Sequence, residues 1–304
     1  MKTTRISAWV AAGLVVGTAL FTACSKSDDT PSLPPIGGYN SSNEVAASAL
    51  QARWSFEGSQ NELVSNTAPT KTYGTVNYVA GVGGGQALNL VDGAVVYPSI
   101  AKIGAANSLA SYTVSMWVNV KNNKNTKNAF TTFWGIFPTA GKGPWGNLSA
   151  AAETALFNES SSADTLVLKA NYQSLLADGS FNSQDNRPDP RGKTPVGVFK
   201  GAGVWSHFVM RFDPALHKLQ IFANGESIGA YDNRGTNTVE LNMMTPCQVV
   251  IGSLLGKEIG FTGADPLPSF SKLGTFAIDN IRVYNKPLVD GDIKALYQLE
   301  LAGR

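Results

Sequence analysis

Residues 112–120 read Tyr112-Thr113-Val114-Ser115-Met116-Trp117-Val118-Asn119-Val120, and every second side chain in this run is apolar. Successive side chains of a β-strand point to opposite faces of the sheet, so a period of two predicts a strand with one face in the core. That face would carry Tyr112, Val114, Met116, Val118 and Val120.

The same period recurs along the chain. Residues 206–212 alternate in the same way, and 219–223 leads into Asn224-Gly225, a strong signal for a tight hairpin. Further strands are predicted at Arg53–Phe56, Ala87–Leu90, Ala94–Tyr97, Thr165–Ala170, Ile228–Tyr231, Gln248–Ile251 and Phe276–Tyr284. One helix is predicted from Asp290 onward. Many short strands and so little helix predict an all-β fold, either a sandwich or a barrel, with a short C-terminal helix.

The composition excludes several classes of protein. Of the 304 residues, 43% are hydrophobic and 15% are charged, which fits neither a disordered chain nor a coiled coil. Only one run, residues 6–20, is apolar enough to cross a membrane, which excludes a protein with several membrane spans.

That apolar run is typical of an export signal. Lys2 and Arg5 precede it, and small residues lead from it to Cys24. The ending resembles the lipobox of bacterial lipoproteins, with Phe21 in place of the usual leucine. It implies a signal peptide over residues 1–23, lipid on Cys24 and a lipid anchor in the outer membrane. An ordinary secretory signal or a membrane anchor are the alternatives.

Removal of this signal makes the mature chain neutral. Without Lys2 and Arg5, 22 basic residues balance 22 acidic residues. No basic field then remains to attract nucleic acid, so nucleic acid is not expected as a partner.

A flexible tether is predicted between the lipid and the domain, over residues 24–48, because this segment is polar and rich in proline and glycine. The domain would then cover residues 49–304. The pair Asp28-Asp29 resembles the export signal of surface-exposed lipoproteins in some Gram-negative bacteria, which implies that the domain faces the cell exterior. The alternative is that the two aspartates are solvated linker residues.

Seven segments follow one another in an order that is typical of one known family. They are Trp54–Gly58, Gly81–Leu88, Ser111–Val118, Trp205–Val209, Leu219–Gly225, Phe276–Asn285 and Leu288–Tyr297. Together they resemble the laminin-G-like, concanavalin-A-like jelly roll, over about residues 50–300. The resemblance implies the fold, a two-sheet antiparallel β-sandwich with a short C-terminal helix, and it leaves the ligand open.

Asp279 stands out because it alternates with apolar residues in its predicted strand, where Ala277, Ile281 and Val283 would share its face. A buried carboxylate needs a cation or a metal ion beside it. Members of the resembled family often hold a structural Ca²⁺, and the resemblance implies Glu57 and Asp279 as its ligands. A salt bridge to Arg53 or Arg282, or a position in water at the rim, is the alternative.

A glycan site is predicted in residues 133–195, the least strand-like part of the chain. Aromatic rings can stack on the C–H faces of sugars, while polar side chains bind their hydroxyl groups. Trp145 is the first candidate because Pro144 and Gly146 place it in a turn. The other candidates are Trp134, Tyr172, Asp185, Asn186 and Arg187. The alternative is that these rings pack over the sheet as lids on the core.

The sequence thus predicts a non-catalytic, cell-surface lipoprotein that captures glycan or polysaccharide, with surface glycan-processing proteins as possible partners. Two alternatives stay open. One is a glycoside hydrolase or lyase, whose paired carboxylates could come from Glu153, Glu159, Asp164, Asp178, Asp185 and Asp189. The other is a protein-binding adhesion module. Gly225-Glu226-Ser227-Ile228-Gly229 matches G-x-S-x-G, but a predicted hairpin replaces the strand–turn–helix that a nucleophile elbow needs.

Overall fold

The computed structural model describes residues 33–122, 129–139, 143–154, 162–185, 197–216, 218–231 and 239–304, apart from the side chains of 184, 185, 230 and 231. Its strands are β1 Leu50–Trp54, β2 Lys71–Ala80, β3 Gln86–Tyr97, β4 Tyr112–Asn119, β5 Phe130–Pro138, β6 Leu148–Glu153, β7 Thr165–Leu175, β8 Phe181–Asp185, β9 Val198–Lys200, β10 Ser206–Asp213, β11 Lys218–Ala223, β12 Glu226–Tyr231, β13 Cys247–Ile251 and β14 Gly274–Tyr284. One α-helix, α1, spans Asp290–Leu301. The predicted all-β fold with a C-terminal helix is confirmed.

Strand β3 joins the two layers of the sandwich. Its first half pairs with β14 and its second half pairs with β13, while β2 runs along its other edge. The first layer has the order β12-β11-β10-β4-β14, and the second has β13-β5-β6-β7-β8. Strand β3 bends at Asp92, and Gly74 of β2 lies opposite this bend. A Cβ on Gly74 would collide with the Asp92 carbonyl oxygen, so only glycine fits where the β2–β3 hairpin passes from one layer to the other.

The main core fills the space between the layers. The predicted inner face of β4 lies there in full, from Tyr112 to Val120. Two further apolar clusters cover the outer faces of the layers. One lies beneath α1 on the first layer, and the other lies beneath the segment 252–273 on the second layer.

The covered second layer explains why residues 133–195 did not look strand-like. All nine residues of β5 are buried, because the core lies on one side and segment 252–273 on the other. A strand that is buried on both faces has no alternation to read. Strands β5 and β6 were therefore missed. The more exposed strands β2, β8 and β9 were also not predicted, and β7 extends five residues beyond its predicted end at Ala170.

The predicted tether extends too far into the domain. Residues 36–49 pack on α1, where Val45 and Ala49 are buried and the Tyr39 hydroxyl donates to Asp292 Oδ1 at 2.8 Å. A backbone hydrogen bond also joins this region to the C-terminal residue, because Ser42 N donates to Arg304 O at 3.0 Å. The compact unit accordingly begins at Pro35 instead of residue 49.

Within the part of the chain that is described, no helix is both long and apolar enough to cross a membrane. The predicted signal peptide and Cys24 lie outside the described residues.

Candidate functional site

Two of the predicted sugar-stacking rings lie in the main core. The exposed fraction of both Trp134 and Tyr172 is 0%. Trp134 packs edge-on against Trp54 at a centroid distance of 6.3 Å, and Tyr172 lies 4.8 Å from the ring of Phe212. The prediction of displayed rings is wrong at these two positions, because β5 and β7 point them between the layers.

Trp145 lies in the predicted turn before β6, where it is partly buried against the outer apolar cluster of the second layer, as the alternative of a lid would require. Its ring is half-buried and stacks on Phe270 at 6.2 Å, with the edge of Phe130 against it at 5.4 Å. The Pro144 carbonyl accepts a hydrogen bond of 3.1 Å from Leu255 N. These contacts fix the orientation of the indole before any ligand arrives.

Polar side chains lie beside Trp145 on the outer face of the second layer. Asn171 Nδ2 donates to the Trp145 carbonyl at 3.4 Å and lies near Ser149 Oγ at 3.5 Å. Gln173 Nε2 donates to Ser183 Oγ at 3.2 Å. Because Asn171 and Gln173 flank the inward-pointing Tyr172, both must point outward.

An exposed ring lies at the other end of this surface. Phe181 pairs with Leu175 and is 46% exposed, and it shares its face with Ser183. From Asn171 to Leu175 the strand rises about 13 Å. We name this surface the β6–β8 face and define it by Trp145, Asn171, Gln173, Phe181 and Ser183.

The remaining predicted glycan ligands can be placed only in part. Asp185 pairs with Asn171 through the backbone of β8, which puts it at the Trp145 end of the β6–β8 face. Its side chain is not described, and Asn186 and Arg187 lie outside the described residues. Asn171, Gln173 and Phe181 form the surface without having been predicted as ligands. Alternation along β7 puts Asn171 and Gln173 on the face opposite Tyr172, but the sequence does not show which of the two faces is outward.

The predicted metal ligands lie on either side of a glycine-rich loop, residues 81–85. Asp279 Oδ2 accepts from Val82 N at 2.9 Å, and Glu57 accepts from Gln86 N at 3.1 and 3.2 Å through its two oxygens. A Cβ on Gly81 would lie 2.6 Å from Asp279 Oδ2, and one on Gly85 would collide with Glu57. The loop therefore closes over both carboxylates only because it lacks side chains there.

Asp279 does not lie on the face that was predicted for it. A bulge at Asn280, whose φ is 45°, reverses the parity of β14. Ile281 and Val283 therefore point into the main core, whereas Asp279 points outward beside Trp117 on β4. The aspartate is nevertheless buried, with an exposed fraction of 0%.

Burial raises the pKa of the Asp279 carboxyl from its ordinary value to about 7. The backbone donors Val82 and Asn280 act against this shift, and the nearby carboxylates of Glu300 and Glu57 add to it. Arg282, one predicted salt-bridge partner, instead binds Glu300 at 2.7 Å. Within the described ranges, no ion pair joins Asp279 to a cation.

The described acids of residues 133–195 do not form a catalytic pair. Glu153 is buried and lies 3.2 Å from Lys169 Nζ. Asp164 accepts from the hydroxyls of Ser162 and Thr165, which lower its pKa to about 2. Asp178 accepts in the same way from Ser180, which lowers its pKa. A general acid needs a raised pKa, so Asp164 and Asp178 do not suit that role.

A serine–histidine pair occurs in a place that sequence reasoning did not consider. Ser115 Oγ lies 2.7 Å from His207 Nε2, and Glu300 Oε2 lies 3.9 Å from the same nitrogen. All three side chains are buried beneath α1, and burial lowers the pKa of His207 to about 3. No substrate reaches this pair, so we assign it to the attachment of α1.

No protein-family model matches the chain, and no curated protein matches it. Its fold is similar to solved structures at low sequence identity. The binding domain of botulinum neurotoxin serotype D/C VPI 5993 is 11% identical, with a TM-score of 0.52, over 83% of this chain and 52% of that one. The binding domain of Paraclostridial Mosquitocidal Protein 1 is 11% identical, with a TM-score of 0.51, over 82% and 52%.

Domain 4 of AbnA, a GH43 extracellular arabinanase from Geobacillus stearothermophilus solved in complex with arabinotriose, is 20% identical. The similarity covers 82% of this chain and 98% of that one, with a TM-score of 0.49. The chain spans about half the length of the two toxin domains that it matches. The two toxin domains establish a shared β-sandwich fold, in agreement with the jelly roll expected from the sequence.

Proposed function

We propose that this protein binds glycans without cleaving them and that the β6–β8 face is the binding surface. The observation that carries the proposal is the placement of Trp145 and Phe181 at the two ends of a row of carboxamide and hydroxyl groups. Sugars present C–H faces to aromatic rings and hydroxyl groups to amides, so this combination suits a saccharide chain.

The row also suits a ligand that makes several weak contacts along its length. Asn171, Gln173 and Ser183 can each donate and accept, as sugar hydroxyls do. The separation of about 13 Å along β7 is long enough for more than one sugar ring. Because Trp145 is held by Phe270 and Phe130, little side-chain entropy is lost when the ligand binds.

Affinity gel electrophoresis against a panel of neutral and acidic polysaccharides tests the proposal. We expect retardation of the wild-type protein by at least one polysaccharide, and loss of it in Trp145→Ala and Phe181→Ala. Leu216→Ala is the matched control, because Leu216 is 60% exposed and lies outside the β6–β8 face. Retardation that is equal in all four proteins would reject this face as the site, and no retardation on any polysaccharide would reject the function.

We also propose that the domain is tethered to the outer membrane by lipid on Cys24 and faces the cell exterior. The lipobox-like ending at Cys24 supports the tether, and Asp28-Asp29 supports the external location. Metabolic labelling with a fatty-acid analogue should mark the wild-type protein and leave Cys24→Ser unlabelled. Protease shaving of intact cells should remove the domain. Labelling of Cys24→Ser, or full protection from protease, would contradict the corresponding part.

A structural Ca²⁺ at Glu57 and Asp279 is a separate proposal. Oxygen ligands suit this ion, and Asp279 is a buried carboxylate without a cationic partner in the described part of the chain. The described residues hold no group of three or more His, Cys, Asp or Glu side chains, so backbone carbonyls and water would complete the shell. The ion would relieve the repulsion between the two carboxylates.

Thermal melting in calcium and in EDTA tests this site. We expect EDTA to lower the melting temperature of the wild-type protein and to leave Glu57→Gln unchanged. Identical melting curves of the wild-type protein in the two solutions would overturn the calcium proposal and leave the glycan proposal intact.

A further inference from the structure

A second concave surface lies on the outer face of the first layer, beside the half that α1 covers. It is a groove with a volume of about 440 Å³, formed by β2, β3, β14 and the end of β4, and it reaches Thr131 of β5 in the second layer. Val79 and Val91 line it and are 38% and 44% exposed. Exposed valines on an uncovered sheet face give the groove an apolar floor.

Polar side chains form a row across this floor. Strand pairing places Asn77, Asn89, Ala277 and Asn119 side by side on β2, β3, β14 and β4. Asn89 Nδ2 donates to Asn77 Oδ1 at 2.9 Å, which fixes the carboxamide of Asn89. Asn119 makes no hydrogen bond to any other described residue through its side chain, so its amide is available to a ligand.

The groove is positively charged at one rim. Lys121 lines it, is exposed and forms no ion pair with any residue that the structure describes. The lining contains no carboxylate. Asp92 lies on the β3 side of the groove, where its Oδ1 accepts from Thr275 Oγ1 at 3.4 Å and its backbone N donates to the same hydroxyl at 3.0 Å.

We propose that this groove binds a short saccharide that carries a carboxylate, such as a uronic acid oligomer. The ammonium group of Lys121 would bind the carboxylate, the amides of Asn89 and Asn119 would bind hydroxyl groups, and the valine floor would contact C–H groups. An acidic peptide would also be attracted to Lys121. Its amide backbone, however, has no hydroxyl groups and no C–H face to match the asparagine row and the apolar floor. The groove is a separate site from the β6–β8 face, which lies on the other layer.

Isothermal titration with a galacturonic acid trimer, a neutral galactose trimer and a triglutamate peptide tests the proposal on the folded, lipid-free protein. We expect the acidic sugar to bind the wild-type protein and to bind Lys121→Gln about tenfold more weakly, which corresponds to the loss of one charge-assisted hydrogen bond. Asn119→Ala should also weaken it. Lys102→Gln is the control, because Lys102 is exposed and lies outside the groove.

Three results would overturn the proposal. The first is no binding of the galacturonic acid trimer to the wild-type protein. The second is equal affinity in Lys121→Gln and the wild-type protein. The third is binding of triglutamate as tight as that of the sugar, which would show recognition of charge alone. Trp145→Ala should bind the acidic trimer normally, so failure at the β6–β8 face and failure at the groove are distinguishable.

Discussion

At the scale of single side chains, the ion pair between Arg282 and Glu300 holds α1 to the first layer. Arg282 Nε donates to Glu300 Oε1 at 2.7 Å, and Trp117 Nε1 donates to Glu300 Oε2 at 2.8 Å. Both charged side chains are almost completely buried. A buried charge that loses its partner is costly, so each of these groups depends on the others.

The substitution Glu300→Gln should lower the free energy of unfolding by about 3 kcal/mol, because it leaves the guanidinium of Arg282 buried without a counter-charge. Urea denaturation measures this change. Glu240→Gln is the matched control, because Glu240 is exposed. Equal stability of Glu300→Gln and the wild-type protein would show that the pair does not hold α1.

The raised pKa of Asp279 makes the stability of the metal-free protein depend on pH. A carboxyl whose pKa is higher in the folded state stabilises the fold below its ordinary value, near 3.8, and this contribution is lost as the pH rises through about 7. In EDTA, the wild-type protein should lose stability relative to Asp279→Asn between about pH 4 and pH 7. Urea denaturation across this range measures the difference between the two proteins.

The histidine His207 affects both proteins in the same way and therefore cancels in this comparison. Its pKa is lowered to about 3, so its effect is a loss of stability as the pH falls below its ordinary value. Parallel stability curves for the wild-type protein and Asp279→Asn would contradict the assignment of a raised pKa to Asp279.

The sequence did not determine which side chains of a strand reach the surface. Tyr172 was selected for its chemistry, yet its neighbours Asn171 and Gln173 point to the surface. A shift of one residue reverses the face of every side chain in a strand, and the sequence of β7 does not reveal which layer lies beneath it. Trp145 was placed correctly because Pro144 and Gly146 are local signals of a turn.

At the scale of elements, the segment 36–49 acts as a strap over α1. Gly37 approaches the helix so closely that a Cβ there would lie 2.7 Å from the Cβ of Ala295. Val45 and Ala49 fill the apolar cluster beneath the strap. The strap therefore belongs to the folded domain and continues the chain that leads to the predicted lipid.

Two N-terminal truncations test whether the strap stabilises the domain and the tether does not. A protein that begins at Pro35 should melt at the same temperature as the mature chain. One that begins at Leu50 should melt at a markedly lower temperature, because burial of Val45 alone contributes about 2 kcal/mol. Differential scanning calorimetry compares the three chains. Equal melting temperatures would show that residues 36–49 contribute nothing to the fold.

Elements with a clear alternation or a local turn signal were predictable, whereas the fully buried strands β5 and β6 and the exposed edge strand β2 were not. The alternation of β4 and β10, the Asn224-Gly225 hairpin and the helix from Asp290 all followed from the sequence. Strand β5 could not be found in this way, because segment 252–273 covers its outer face from a distance of more than one hundred residues along the chain. Such coverage is a tertiary effect that local patterns do not record.

At the scale of the whole molecule, the two layers give the protein two different surfaces. The chain enters the domain at the strap, on the outer face of the first layer, whereas the β6–β8 face lies on the outer face of the second layer. The N-terminal strap and the proposed glycan-binding surface therefore use opposite layers of the sandwich.

Titration calorimetry tests directly whether the β6–β8 face binds glycans. The ligand is a polysaccharide that retards the wild-type protein in the affinity gel, and the proteins compared are the wild type, Trp145→Ala and Leu216→Ala. We expect Trp145→Ala to remain folded, with a lower melting temperature because its contacts with Phe270 and Phe130 are lost, and to bind about tenfold more weakly, while the affinity of Leu216→Ala stays unchanged. Undiminished binding by a correctly folded Trp145→Ala protein would contradict the claim that the β6–β8 face captures glycans.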